Sequence, residues 1–216
     1  MSIDTILFDV GGVIIEPLDH DAVWRARDHL AQELGFGSGE EMWLAFYESD
    51  VWAAAKTGAI LHEEMWETLL RPYGLLQREM QTRFVTRLHE GEGMRPEMAA
   101  LIRTLHPHYK LGILSNWDDR LESILEERLE IAAYFNVILN SHRIGAAKPD
   151  EEAFRLALSR LDARPHQVLF IDDLERNTNA AAALGLHTHT YRDFSALLAD
   201  LKQREILPEE WTVGDS

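Results

Sequence analysis

The stretch TILFDVGGV, residues 5–13, decides the fold of this chain of 216 residues. An apolar run ends in Asp9 and then turns at Gly11 and Gly12, as a buried parallel strand does where it leaves its sheet. Ligands of open α/β sheets bind outside the carboxyl ends of the strands, so a carboxylate at that position is well placed to meet one. Asp9 is therefore the first candidate functional residue.

Further apolar runs have the length and composition of buried parallel strands, and each lies between helical patterns. They are YKLGILSN at 109–116, FNVILNS at 135–141 and QVLFIDD at 167–173, with HTHTY at 187–191 as a weaker fifth strand. Alternating strands and helices indicate an α/β fold. We predict a doubly wound, Rossmann-like parallel sheet with right-handed crossovers.

The stretch between the first two predicted strands contains no convincing strand and is far longer than the dozen or so residues that a crossover needs. We interpret most of it as an inserted all-helical cap domain, residues 17–92, on an α/β core domain of residues 1–16 and 93–216. The helices are predicted at Asp19–Leu34, Gly39–Ala55, His62–Arg71, Leu76–His89 and Pro96–Leu105, the last leading back to the sheet.

Composition excludes several classes of protein. Cysteine is absent, which removes disulfides, thiolate metal sites and cysteine nucleophiles. A formal net charge of −16 repels nucleic acid and anionic membranes, so neither is an expected partner. No run approaches the roughly 20 apolar residues of a membrane span, and the N-terminus lacks a signal-peptide pattern. We expect a cytoplasmic protein with a loosely ordered tail from Leu207, and we predict no oligomeric state.

The polar residues at the predicted strand ends suit phosphate chemistry. Asp9 could attack phosphorus and form an aspartyl-phosphate, and a Mg²⁺ ion held by Asp9 and Asp172 would offset the charge of the phosphate. Lys148 would neutralise further charge. Ser115 and the backbone N–H groups around Asn116 would donate to the phosphoryl oxygens. Each residue alone has an ordinary explanation, since a strand-end aspartate often caps a helix.

The ordered motifs FDVGGV, LSN, KP and FIDDLERN resemble those of the haloacid dehalogenase superfamily, over a match from about Ile3 to Tyr191. The insertion after the first motif resembles members with a cap between motifs one and two, and TGAILHEEMW at 57–66 resembles a recurrent cap segment. By position, the resemblance implies that Asp9 is the nucleophile, Ser115 the phosphate-binding hydroxyl and Lys148 the charge-neutralising group. It also implies that Asp9, Asp172 and the Gly11 carbonyl are Mg²⁺ ligands. Asp173 and Asn177 would support the metal.

Gly11 departs from the family pattern. Phosphatases of the superfamily generally carry an aspartate two residues after the nucleophile, where it protonates the leaving oxygen. Gly11 keeps a carbonyl for the metal but lacks that proton-transfer group, whose contribution is typically about 10²–10⁴-fold. Our hypothesis is that water, or Glu16 or His20 nearby in sequence, takes over part of its work. Trp117, directly after LSN, is a candidate for lining the pocket.

The predicted function is that of a Mg²⁺-dependent phosphatase acting on a small phosphorylated metabolite. A sugar phosphate is favoured because the motif FD-x-G-[GN]-V resembles a branch that includes glucose-1-phosphate phosphatases. The leaving group of a sugar 1-phosphate is a more acidic hydroxyl, which needs less help from a proton donor. Two alternatives stay open: a catalytically weak phosphate- or metal-binding module, and a metal-independent 2-haloacid dehalogenase. The dehalogenase also needs no acid at Gly11, because a halide leaves without a proton. It is disfavoured because Asp172 and Asp173 would repel Asp9 without a cation.

Overall fold

The protein is described by a computed structural model that covers residues 2–213. Its strands in chain order are β1 (Thr5–Phe8), β2 (Glu16–Pro17), β3 (Glu92–Gly93), β4 (Lys110–Ser115), β5 (Val137–Asn140), β6 (Val168–Asp172) and β7 (His187–Thr190). Five of them form one sheet in the order β5–β4–β1–β6–β7, and every neighbouring pair is parallel. The predicted five-stranded parallel sheet is therefore confirmed, including its weaker fifth strand.

The α-helices largely match those expected from the sequence. In chain order they are α1 (His20–Leu34), α2 (Gly39–Tyr47), α3 (Asp50–Lys56), α4 (His62–Leu70), α5 (Arg78–Leu88), α6 (Pro96–Leu105), α7 (Leu121–Ser123), α8 (Ser141–Ile144), α9 (Glu151–Leu161), α10 (Glu175–Ala183) and α11 (Phe194–Gln203). The single helix predicted over Gly39–Ala55 was wrong. Ser49 ends it, because its side chain accepts a hydrogen bond from the backbone of Trp52 at 3.0 Å and so caps a second helix.

The residues of β1 are fully buried and alternate between the two faces of the sheet. Ile6 and Phe8 join one apolar cluster with residues of α6 and α11, whereas Leu7 joins a second cluster with residues of α9 and α10. Successive strand residues point to opposite faces, so a central strand covered by helices on both sides must be apolar throughout. This arrangement is the doubly wound fold that the sequence predicts.

Helices α1–α5 lie between β2 and β3, which pair antiparallel and which the sequence analysis missed. These helices build an apolar cluster of their own, distinct from the two clusters on the sheet, with Met42, Phe46 and Trp66 among its buried members. The inserted segment therefore begins and ends at points that lie side by side in the fold, although they are far apart along the chain. The division into a core of residues 1–16 and 93–216 and a cap of residues 17–92 stays a prediction.

The tail is more ordered than expected over the residues that can be described. Leu207 and Trp211 are buried in the cluster under the sheet, and the Trp211 indole N–H donates to the Thr104 hydroxyl at 3.3 Å. The prediction of a loose tail was therefore wrong there, because an aromatic anchor fixes it; residues 214–216 lie outside the described range. Within residues 2–213, no helix is long and apolar enough to cross a membrane.

Candidate active site

The topology of the sheet brings distant polar residues to one edge. Strand β1 lies between β4 and β6, and Phe8 is in register with Ile113 on one side and Ile171 on the other. Asp9 therefore emerges beside the last residues of the two neighbouring strands, Ser115 and Asp172. The carboxyl ends of parallel strands share an edge, which is why residues more than a hundred positions apart meet here.

Both carboxylate oxygens of Asp9 are held. Its Oδ1 accepts hydrogen bonds from the Ser115 hydroxyl at 2.7 Å and from the backbone N–H of Val10 at 2.6 Å. Its Oδ2 lies 2.9 Å from the Lys148 ammonium. The side chain is almost fully buried, so its orientation is fixed by these three contacts.

Lys148 is the buried cation of the site. Its Nζ lies 2.9 Å from Asp9 Oδ2 and 2.6 Å from Asp172 Oδ2, and only 2% of the residue is exposed. Burial alone would lower the pKa of Lys148, but the charges of Asp9 and Asp172 outweigh it and raise the pKa. The lysine therefore forms ion pairs with both the nucleophile candidate and the metal-ligand candidate, and its charge-neutralising role toward phosphate stays a prediction.

Asn116 holds the backbone on which Lys148 stands. Its amide Nδ2 donates to the Lys148 carbonyl at 2.8 Å, and its Oδ1 accepts from the Lys148 N–H at 2.9 Å. The side chain is thus engaged with the Lys148 loop. The contact with phosphate predicted around Asn116 would fall to backbone N–H groups, and it stays a prediction.

Replacement of Asn116 by alanine is expected to cost about 1–3 kcal/mol of unfolding free energy, because two hydrogen bonds are lost. It should also lower turnover by about 10-fold or more, since small displacements of a catalytic group are costly. Asn136→Ala is the matched control, because Asn136 also accepts a backbone N–H, that of Leu111 at 2.9 Å, but at the opposite end of β4. Thermal unfolding and phosphate release measure the two effects; equal turnover losses in both variants would contradict the assignment.

Asp172 and Asn177 form the second half of the site. Asp172 Oδ1 accepts from the backbone N–H of Leu174 at 2.9 Å, and the Asn177 amide donates to both Asp172 oxygens at 2.9 and 3.1 Å. The Asn177 Oδ1 is buried and has no hydrogen-bond partner within residues 2–213. A buried acceptor without a donor is costly, so this oxygen is suited to a ligand or its water.

The donor set fits a divalent cation. Asp9, Asp172 and Asp173 each offer a carboxylate oxygen, and these oxygens all lie within 4.8 Å of one another. Burial, with the charges of Asp172 and Asp173, raises the pKa of Asp9 to about 7, although Lys148 opposes the rise. Burial and the Asp172 charge likewise raise the pKa of Asp173 to about 6. Crowded carboxylates with oxygen donors only are what Mg²⁺ binds best.

Two glycines allow close approach around this cluster. Gly12 has a φ of 77°, and a Cβ there would lie 2.4 Å from Asp173 Oδ2, so only glycine lets Asp173 come so near. At Gly11 a Cβ would meet the Trp117 ring at 3.4 Å, an ordinary contact. The Trp117 ring therefore packs directly against Gly11.

The structure does not connect the two proposed substitutes for the missing acid to the site. Glu16 Oε1 accepts from the Arg95 guanidinium at 2.6 Å, and the His20 side chain is 74% exposed beside Asp21. Within residues 2–213, no hydrogen bond or ion pair joins either side chain to Asp9. The hypothesis for Glu16 and His20 gains no support from these contacts.

One polar pair beside the site was missed by the sequence analysis. The His62 Nδ1 lies 2.6 Å from Asp118 Oδ2, and the His62 backbone N–H donates to Asp119 Oδ1 at 2.7 Å. Asp118 and Asp119 follow Ser115 closely in sequence, whereas His62 begins α4 among the inserted helices. The sequence analysis assigned TGAILHEEMW to a recurrent cap segment. Nothing in that pattern shows that its histidine, His62, contacts the loop after β4.

The fold and the site together define an α/β protein whose acidic side chains converge at the carboxyl edge of a parallel sheet. A family model described as haloacid dehalogenase-like hydrolase matches residues 3–185. The chain therefore belongs to the haloacid dehalogenase-like hydrolases.

Curated relatives are similar over part of their length. Bifunctional epoxide hydrolase 2 of Sus scrofa is 26% identical over an alignment of 227 positions, which covers 94% of this chain and 39% of that protein. Phosphoglycolate phosphatase of Salmonella paratyphi A is 34% identical over 97 residues, which is 44% of this chain and 38% of that protein. The matched regions thus span about two fifths of these relatives.

Solved structures share the fold. A predicted HAD-like family hydrolase of Porphyromonas gingivalis has a TM-score of 0.71 at 24% identity and covers 93% of this chain and 98% of its own. A HAD family enzyme of Bacteroides thetaiotaomicron, in complex with magnesium and inorganic phosphate, has a TM-score of 0.71 at 22% identity, covering 91% and 99%. L-2-haloacid dehalogenase of Xanthobacter autotrophicus has a TM-score of 0.62 at 18% identity, covering 95% and 85%.

Proposed function

We propose that this hydrolase is a Mg²⁺-dependent phosphatase that acts through an aspartyl-phosphate on Asp9. The observation that carries the proposal is the position of Lys148, whose ammonium lies within 2.9 Å of Asp9 and 2.6 Å of Asp172. A nucleophilic carboxylate, a buried cation and further acidic oxygens suit a dianionic phosphate with a metal ion. The magnesium and phosphate bound to the Bacteroides thetaiotaomicron relative support the same chemistry.

The residues divide the work of phosphoryl transfer. Asp9 forms a bond from a carboxylate oxygen to phosphorus while the bond to the substrate's ester oxygen breaks. Water then attacks the same phosphorus, which releases phosphate and restores Asp9. Ser115, hydrogen-bonded to Asp9 at 2.7 Å, is close enough to donate to a phosphoryl oxygen beside it, and Lys148 compensates negative charge.

A bound Mg²⁺ would supply positive charge for the phosphoryl oxygens and orient the phosphate. Asp9, Asp172 and the Gly11 carbonyl would hold it, with Asp173 and Asn177 in support. The buried carboxylates and the unpartnered Asn177 Oδ1 favour this assignment. Loss of the ion should leave the acidic cluster uncompensated and the protein inactive.

The substrate that we propose is a small phosphorylated metabolite, with a sugar 1-phosphate favoured. Gly11 offers no proton donor, and a sugar's anomeric oxygen leaves with less need of one than an ordinary alcohol oxygen does. The match with phosphoglycolate phosphatases supports the broader class, small phosphate esters. A cytoplasmic location remains part of the proposal.

Two other functions have an observation in their favour. Gly11 would suit a metal-independent 2-haloacid dehalogenase, whose halide leaves unprotonated, but the three clustered carboxylates argue against a metal-free site. The lack of a proton-transfer side chain at Gly11 would also suit a weak binding module with little turnover. Either function must be separated from the phosphatase by experiment.

Phosphate release tests the three functions together. We expect turnover of sugar 1-phosphates and p-nitrophenyl phosphate with Mg²⁺, none with chelator, and none in Asp9→Asn. Halide release from a 2-haloacid that survives the chelator would establish the dehalogenase instead. Magnesium binding by calorimetry without turnover of any phosphate ester would establish the binding module.

A further inference from the structure

His62 is a histidine with one nitrogen fixed and the other free. Its Nδ1 faces Asp118 Oδ2 at 2.6 Å, and its Nε2 makes no hydrogen bond within residues 2–213. Asp118 is 4% exposed; burial alone would raise its pKa, but the hydrogen bond and charge of His62 lower it. An anionic carboxylate on Nδ1 fixes the orientation of an imidazole and determines which of its two nitrogens stays available.

The same histidine lines a large cavity between the inserted helices and the sheet edge. The cavity has a volume of about 1240 Å³, and Ile15 and Trp117 also line it. Both of these residues flank Gly11, since Ile15 forms a backbone bridge with it and Trp117 places its ring against it. The cavity therefore comes up to the residues that pack against Gly11, the position of the family's second aspartate.

We propose that His62, oriented by Asp118, transfers the proton that the missing side chain at Gly11 would otherwise transfer. The proposal rests on the phosphatase function argued above. It makes His62 a catalytic residue contributed by the inserted helices and Asp118 a positioning residue in the loop after β4. It also makes the cavity the compartment for the leaving group of the substrate.

The step balances in protons and charge. In the first half, Asp9 bonds to phosphorus, the ester P–O bond breaks, and the leaving oxygen takes the Nε2 proton of the His62 imidazolium. The alcohol departs and His62 is neutral. In the second half, water gives one proton to Nε2 as its oxygen bonds to phosphorus and the bond to Asp9 breaks. Hydrogen phosphate is released and the imidazolium is restored.

The contacts around His62 are compatible with a purely structural function, which the test must separate. Its backbone N–H and its ring both tie α4 to the loop after β4, through Asp119 and Asp118. The neighbouring Arg120 lies 3.5 Å from Asp118, and the Trp66 ring packs 6.2 Å from the imidazole. If His62 only holds α4 against the loop after β4, its loss should lower the turnover of all substrates equally. If it donates a proton, its loss should lower turnover more for substrates with poorer leaving groups.

The test is a leaving-group series in Mg²⁺ with p-nitrophenyl phosphate, glucose 1-phosphate and glucose 6-phosphate. Asn keeps a donor for Asp118 but cannot transfer a proton, so His62→Asn isolates the catalytic function. We expect kcat/KM of His62→Asn to fall about 10–100-fold on glucose 6-phosphate and by less than about 3-fold on p-nitrophenyl phosphate. Asp118→Asn should lower kcat/KM in the same ranking of substrates as His62→Asn, but by smaller factors.

Chemical rescue is a second, independent measurement. In His62→Ala, added imidazole should restore glucose 6-phosphate turnover several-fold, because the cavity has room for it, and should not change p-nitrophenyl phosphate turnover. Two results for His62→Asn would overturn the proposal: an equal loss of kcat/KM on all three esters, or no loss on any of them. Wild-type protein without Asp9-dependent hydrolysis of p-nitrophenyl phosphate would overturn the phosphatase function and this inference with it.

Discussion

Lys148→Met is expected to lower turnover by about 10²–10³-fold and to lower the stability of the metal-free protein by about 3–5 kcal/mol, the usual cost of removing one partner of a buried ion pair. Lys148 is the ammonium between Asp9 and Asp172, and all three side chains are shielded from water. Methionine keeps the length and apolar stem but leaves two buried carboxylates facing each other. Removal of one preorganised charge-stabilising group typically lowers turnover by about 10²–10³-fold.

Urea unfolding and phosphate release measure both effects. Lys202→Met is the matched control. Lys202 lies on α11, away from the site, and donates to the Glu209 carbonyl in the tail, so its replacement should change neither quantity. Adding Asp172→Asn to Lys148→Met should recover much of the lost stability, since one of the two opposed charges is gone, but none of the activity. Mg²⁺ should stabilise Lys148→Met more than it stabilises the wild type. A fully stable Lys148→Met protein would show that the carboxylates are not held ionised by the lysine.

The convergence of Asp9, Ser115 and Asp172 could be expected from the sequence because it follows from the sheet. Parallel strands end at a common edge, and apolar runs show where each strand ends. Lys148 is different, because it lies in the loop between α8 and α9 and the preceding strand, β5, is separated from β1 by β4. Strand order alone does not bring Lys148 to Asp9; the Asn116 side chain, which binds its backbone, helps to hold it there.

The rest of the site depends on side chains that cross between elements. Asn116 was expected near phosphate, yet its amide binds the backbone of Lys148. His62 meets Asp118 only because α4 packs against the loop after β4, and no periodicity in either segment encodes that contact. The two short strands at Glu16–Pro17 and Glu92–Gly93 were missed for a similar reason, since strands of two residues leave no alternation to detect.

Gly11→Asp combined with Trp117→Ala is expected to raise turnover of glucose 6-phosphate by about 10²-fold, the part of a general acid contribution of up to about 10⁴-fold that His62, with about 10–100-fold, does not supply. Gly11 does not have a positive φ, and a Cβ there meets the Trp117 ring at a tolerable 3.4 Å. The backbone therefore accepts a side chain, and we expect the adjacent ring to restrict the position of its carboxylate. Gly11→Asp alone should gain little for this reason.

The first control is Gly11→Asn with Trp117→Ala, because asparagine has the shape of aspartate but no transferable proton. The second control, Trp117→Ala alone, measures the effect of removing the ring. Neither should gain activity on glucose 6-phosphate, and p-nitrophenyl phosphate should respond to none of the variants. A full gain from Gly11→Asp without the tryptophan change would show that the ring does not restrict this space. Because the introduced carboxylate would do the work that we assign to His62, His62→Asn in the double variant should lose far less activity than His62→Asn alone. Two proton donors on one leaving oxygen compete, so this non-additivity would connect the glycine, the tryptophan and the histidine to the same step.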